Sequence, residues 1–338
     1  MIADRFFDAG RQRAGLVATM FESTRQRDAV LAALNGLIGD QLANTGNVLA
    51  IPMCLRQRGQ PLPLERVALA AAMPAPGARL VVLVHGLCCN DLQWLRRNHD
   101  HGVALARDLG YVPLYLYYNS GRHVSTNGQE LSMLLDTLLD AWPVSVDELA
   151  ILAHSMGGLV ARSACHYARM GGRRWLGRLR QMVFLGVPHH GAPLARHGNW
   201  LGSLLGSNPL TAPLARLGEL RSAGITDLRY GNLLDEDWRG RNRFAHEADT
   251  RRHVPLPRGI RCYTIAGSTG KRPTDLRHRL LGDGLIPVDA ALGRHAERAR
   301  QLNFPASRQW VAFDTHHLDL LCRVEVYEKI RAWLGEAH

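Results

Sequence analysis

The sequence predicts an α/β fold built on a mainly parallel, doubly wound sheet, and three observations carry that expectation. Leu80–Val84 is an unbroken apolar run, as expected of a strand covered by helices on both faces. From residue 98 to 187, helix-patterned and strand-patterned segments alternate, the rhythm of successive βαβ units. The residues able to do chemistry fall just after those strands, at the carboxyl edge where such sheets place their sites.

Taken in order, residues 1–45 read as a pair of amphipathic helices, with Phe6, Phe7, Leu16, Val17, Met20, Phe21, Val30, Leu31, Leu34, Leu37 and Ile38 at helical spacing. Packing on the protein's own core is the expected use of their apolar face, with a membrane or partner as the alternative. Segments 48–56 and 64–73 are short strand candidates joined by a turn containing Gly and Pro, and 74–78 is a linker. After the strand at 80–84 come a helix at 98–109, a strand at 112–118, a helix at 128–141, a strand at 149–153, a helix at 157–170 and a strand at 181–187. Residues 191–258 break the rhythm and read as an inserted cap. Strands at 260–266 and 309–313 and a helix at 323–334 then complete the core. The expected organisation is a helical extension over 1–47, a core from 48–190 and 259–338, and a cap or lid over 191–258.

Composition narrows the class. With 46% hydrophobic and 21% charged residues, the chain reads as a globular protein, not a disordered or fibrous one. No segment is apolar enough to span a bilayer, and the charged N-terminus lacks the apolar stretch of a secretory signal, so a cytoplasmic location is expected. Six cysteines, including the vicinal Cys88 and Cys89, lack metal-ligand spacing and read as reduced core thiols. The formal charge of +11 is almost wholly arginine, since Lys271 and Lys329 are the only lysines. The basic run Arg169, Arg173, Arg174, Arg178 and Arg180 lacks interleaved aromatics and sits in no nucleic-acid module, so it reads as a solvated face. Nucleic acid is therefore not an expected partner, whereas peripheral contact with an anionic membrane stays open.

The most informative stretch runs from Leu149 to Arg162, Leu-Ala-Ile-Leu-Ala-His-Ser-Met-Gly-Gly-Leu-Val-Ala-Arg: a buried strand turning directly into a helix with Ser155 at the corner. Small residues must flank such a turn, and Ala153 and Gly157 fill those places. The following helix offers its positive end and free amides, that of Met156 among them, to negative charge developing above Ser155. This elbow resembles that of α/β-hydrolase lipases and esterases, with Ala153 replacing the common first glycine of Gly-x-Ser-x-Gly. Val82-Leu-Val-His-Gly-Leu87 is similar to the oxyanion loop of bacterial triacylglycerol lipases, which implies that the Leu87 and Met156 amides form an oxyanion hole. Leu281-Gly-Asp-Gly-Leu-Ile-Pro-Val288 resembles the segment supplying the acid, which implies Asp283, with Asp289 as rival. Phe313-Asp-Thr-His-His-Leu-Asp-Leu-Leu321 resembles the segment of the general base, implying His317 with His316 as the alternative. The chain order Ser155, Asp283, His317 is the one this fold uses.

The resemblance covers roughly 80–190 and 260–334 and extends to the GPI inositol-deacylase-like group. It implies an α/β-hydrolase fold and hydrolysis of lipid or medium-chain acyl esters through an acyl-enzyme on Ser155, with no organic cofactor. His85, His154 and His189, next to the loop, the elbow and a Pro-His-x-Gly-like stretch, are candidate substrate-binding residues. The adjacent His189 and His190 lack chelate spacing, so no metal is assigned. Trp200, Leu201, Leu204, Leu205, Leu210, Leu214 and Leu217 could line an acyl pocket or simply pack a cap. An acyltransferase or thioesterase would use the same triad. A catalytically silent scaffold that docks on a membrane or partner is the reading from another class.

Overall fold

In the computed structural model, described for residues 24–192, 205, 211, 212, 214, 221–242, 249–275 and 281–336, the chain forms an eight-stranded sheet. Its strands are β1 (Cys54–Gln57), β2 (Gln60–Pro61), β3 (Arg79–Val84), β4 (Val112–Tyr117), β5 (Glu148–His154), β6 (Leu179–Leu185), β7 (Arg261–Gly267) and β8 (Gln309–Ala312). The spatial order is β2-β1-β4-β3-β5-β6-β7-β8, with β3 to β8 all parallel and β1 antiparallel to both its neighbours. The helices are α1 (Thr24–Asn44), α2 (Arg66–Ala72), α3 (His101–Leu109), α4 (Val124–Ala141), α5 (Met156–Met170), α6 (Ala223–Tyr230), α7 (Val288–Ala291) and α8 (Val324–Gly335).

The doubly wound arrangement follows from the period of the strand. In β3, Leu80, Val82 and Val84 enter one apolar cluster with residues of α1, α2, α4 and α5, while Val81 and Leu83 enter a second with Ala104 and Leu105 of α3 and Val326, Ile330 and Trp333 of α8. Both faces are therefore dry, and alternation of polar and apolar residues would have failed there. Among the described residues no helix is long and apolar enough to cross a membrane.

Two local expectations are corrected. Residues 64–73 are not a strand: Arg66–Ala72 is helical, because Ala68, Ala70, Ala71 and Ala72 favour helix and Leu69 alone need be buried. The partner of the 48–56 segment is instead Gln60–Pro61, paired through a tight turn in which Arg58 (φ 52°) and Gly59 (φ 77°) are both left-handed. Of the N-terminal pair of helices, residues 1–23 lie outside the described residues. The second, α1, packs on the core through Ala32, Ala33 and Leu37, with a break at Ile38. In the 191–258 segment, Ile225, Leu228, Leu233 and Leu234 join the main apolar cluster. Of the seven apolar residues between 200 and 217, Leu205 is buried and Leu214 half-buried against the same cluster, and the other five lie outside the described residues.

Candidate active site

Ser155 lies between the end of β5 and the start of α5 with φ 55° and ψ −131°. That conformation costs a residue bearing a Cβ on the order of 1–3 kcal/mol and persists only where the surroundings hold it. Here the Ser155 amide donates to Leu185 O at 2.9 Å, and its carbonyl accepts from Gly158 N at 3.0 Å. Close packing explains the glycines. A Cβ at Gly157 would press into the carbonyl oxygens of Val84 and His85, one at Gly158 would strike the Val187 methyls, and one at Gly86 would lie 2.9 Å from Ser155 Cβ. Ala153, in place of the usual glycine, is accommodated fully buried in the main apolar cluster.

The loop after β3 is anchored from two sides. Tyr118 Oη donates to His85 O at 2.8 Å with the two rings stacked at 4.3 Å, and Cys88 N donates to Ser120 Oγ at 3.0 Å. Between these anchors lies Leu87, buried like Met156 across the elbow. Helix α1 presses on the same loop: Gly36 packs so closely against Cys88 that a Cβ there would lie 2.8 Å from the Cys88 backbone. Asn119 Nδ2 donates to Gly39 O at 2.8 Å, tying α1 to the end of β4. These supports of the loop were not legible in the sequence, because no local pattern links residues 36–39 to residues 88 and 119.

On the far side, Asp283 follows β7 and His317 follows β8. Asp283 Oδ1 accepts from Leu285 N at 2.9 Å and Ile286 N at 2.7 Å, which aims Oδ2 at His317 Nδ1, 2.7 Å away. The His317 amide donates to Asp283 O at 3.1 Å, so the pair is joined through backbone as well as side chain. With Nδ1–H committed to the carboxylate, Nε2 carries the lone pair. The end of β6 links the two halves of the site. Leu185 receives the Ser155 amide, and the next residue, Gly186, lies so close that a Cβ on it would be 3.1 Å from both Asp283 Oδ2 and His317 Nδ1.

The two rivals are turned elsewhere. His316 is exposed, and Asp289 is exposed at the start of α7 in an ion pair with Arg294 at 3.2 Å. The three histidines proposed to contact substrate are all buried. His154 Nε2 donates to His317 O at 3.1 Å with its ring 4.6 Å from that of His317, and burial holds its pKa well below the usual value. His85 is likewise pulled down to about 4 by burial. His189 packs between Phe184 and Phe304 and faces Arg162. A fourth ring, unanticipated, is His101 at the start of α3. It is fully buried, receives His99 Nε2 on Nδ1 at 2.9 Å and donates from Nε2 to Leu320 O at 2.9 Å, thereby fixing the loop that bears His317. Among the described residues no three His, Cys, Asp or Glu side chains converge as a metal ion requires.

The family described as a domain of unknown function (DUF7379) matches residues 60–207. No curated protein matches the chain. Among solved structures, the mature lipase BlEst2 of Bacillus licheniformis is similar with a TM-score of 0.51 and 16% identity, over 85% of this chain and 98% of that one. This protein has the α/β-hydrolase fold. Other similar structures are the esterase Pf2001 of Pyrococcus furiosus (TM-score 0.44, 14% identity, 77% of this chain and 81% of that one) and the phospholipase PlaB of Legionella pneumophila (0.41, 14%, 63% and 45%).

Proposed function

We propose that the chain is a serine hydrolase that cleaves carboxylic esters through an acyl-enzyme on Ser155. The single observation that carries this reading is the buried Asp283–His317 hydrogen bond at 2.7 Å, at the same end of the sheet as a strained, buried serine. The bond leaves His317 Nε2 as the basic nitrogen. In the reaction, Ser155 Oγ attacks the ester carbonyl while His317 Nε2 takes its proton, and Asp283 stabilises the resulting imidazolium. The oxyanion of the tetrahedral intermediate is received by the amides of Leu87 and Met156, where one such donor is typically worth about 3 kcal/mol. The leaving alkoxide collects the proton from Nε2, and a water then repeats the sequence on the acyl-enzyme. His154, buried behind the base, acts as a positioning residue and not as a substrate contact. Lipid or medium-chain acyl esters are the proposed substrate class, in keeping with what the lipase and esterase named above are called.

The reading is tested with a fluorophosphonate probe and with p-nitrophenyl esters from acetate to palmitate, comparing the protein with Ser155→Ala. Labelling and hydrolysis lost in the variant are the expected result. Absence of both in the native protein, at rates no better than the variant, would overturn it.

A further inference from the structure

A second concentration of chemistry lies away from the serine. Where the chain leaves β6 and passes α5, a small cleft with a cavity of about 20 Å³ is lined by Arg162, His189, His190, Arg251, His253 and Arg300, among others. Arg162, two turns along α5 from Ser155, is 3% exposed, and burial with the nearby Arg251 charge lowers its pKa to about 9, which leaves it a cation at neutral pH. Its Nη2 donates to Val254 O at 2.5 Å and its Nη1 lies 3.4 Å from His189 Nδ1. Among the described residues its Nε has no partner, and neither has His189 Nε2. Since His189 Nδ1 receives the guanidinium, Nε2 bears the ring proton. Both orphans are therefore donors, the expensive kind of buried group to leave unmet.

The carboxylates nearby are already engaged. Asp249 bridges Arg251 at 3.1 Å and Arg300 at 3.0 Å, and Glu297 takes Arg300 at 3.0 Å. Asp237 receives the amides of Leu233, Leu234 and Arg252. Among the described residues none bonds to Arg162. Burial and the neighbouring guanidinium groups keep His189 neutral, so the ring donates without adding charge. A buried guanidinium with a free N–H and a neutral imidazole donor thus share one cleft with no carboxylate bonded to either among the described residues, beside Arg251 and Arg300, whose charges are met by Asp249 and Glu297. We infer that this cleft binds a tetrahedral oxyanion of the phosphate class, supplied either free in solution or by a phosphomonoester lipid headgroup at its mouth. This inference stands independently of the reaction proposed for Ser155.

The test uses the full chain and inorganic phosphate, titrated at pH 7 and constant ionic strength, with melting temperature as the readout. An upward shift of a few degrees is expected, growing with the logarithm of phosphate concentration above the dissociation constant, because a ligand at free concentration L bound by the folded state alone stabilises it by RT ln(1 + L/Kd). In Arg251→Gln and His189→Gln, the phosphate concentration that gives the same shift should be at least about 10-fold higher, one lost charged or buried contact being worth that much. Arg162→Met should abolish the shift and, by removing an unneutralised buried cation, leave the phosphate-free melting temperature unchanged or raised. No shift in the native protein beyond that of Arg162→Met, or the same concentration dependence in Arg251→Gln and His189→Gln, would overturn the site. Flotation with phosphatidic acid vesicles, against phosphatidylcholine vesicles, separates the two sources. Binding to the first that phosphate competes away identifies the headgroup, and phosphate binding without vesicle binding identifies the free anion.

Discussion

The chain contains the same dipeptide, His-His, at two strand exits, and the two copies have opposite electrostatic surroundings. At 316–317 one ring is exposed and the other is buried against the Asp283 carboxylate. At 189–190 the rings face Arg162 and Arg251, and no carboxylate bonds to either among the described residues. An imidazole beside a carboxylate can accept a second proton within the site, whereas one beside guanidinium groups is held neutral and can only donate or accept a hydrogen bond. The residue type is therefore silent about its role. Its nearest charge decides it.

The sharpest way to break this contrast is to delete the ring beside the carboxylate. His317→Gln should lower kcat for a p-nitrophenyl ester by about 10⁶-fold, as in enzymes whose serine and histidine act as one unit. Asp283→Asn should lower it by about 10⁴-fold, because the wrong tautomer then faces the serine. A loss below tenfold in either variant would remove the distinction between the two histidine pairs.

The acid side of the stability curve sharpens the other half of the comparison. His189, His190, His85 and His101 all have pKa values lowered by burial, with His85 and His190 at about 4 and His101 at about 3. Each binds its proton more readily in the unfolded chain, so the stabilisation is complete above pH 6.5 and is lost as pH falls towards the folded values. For the fully buried His85 the loss is roughly 3 kcal/mol. Urea midpoints measured between pH 7 and pH 4 should fall steeply, and His101→Gln should flatten that slope. An unchanged slope in the variant would show that its ring is not held neutral.

A smaller effect is expected where a ring acts through another. His154→Gln should reduce kcat by about 10²-fold with little change in KM, since it lets the His317 backbone drift without touching substrate. A change confined to KM would instead make His154 a substrate contact. His316→Gln should alter kcat less than about twofold and stability by less than about 0.5 kcal/mol, the ordinary result for an exposed side chain.

Much of this was legible in the chain, and the reason differs by element. The elbow at Ser155 can be read locally, because a strand meeting a helix at one residue admits only small residues on either side and leaves Ala153, Gly157 and Gly158 as a visible trace. The apolar run of β3 likewise announces a strand covered on both faces. The stretch at 64–73 is ambiguous by periodicity alone, and its helix-favouring alanines together with packing on one face through Leu69 decide it.

What the sequence determined by itself is whatever is enforced within a few bonds, strand period and the tight elbow, together with the order of Ser155, Asp283 and His317 along the chain. What the tertiary structure alone decided is which members of each rival pair meet. His317 is distinguished from His316, and Asp283 from Asp289, by two backbone amides that turn one carboxylate inward and by an ion pair that turns the other outward. The pressure of α1 on the loop at Cys88 and the hold of His101 on Leu320 join residues 52 and 219 positions apart. Contacts between such distant residues form only after the sheet has brought its strand ends to one edge, so no short-range pattern encodes them.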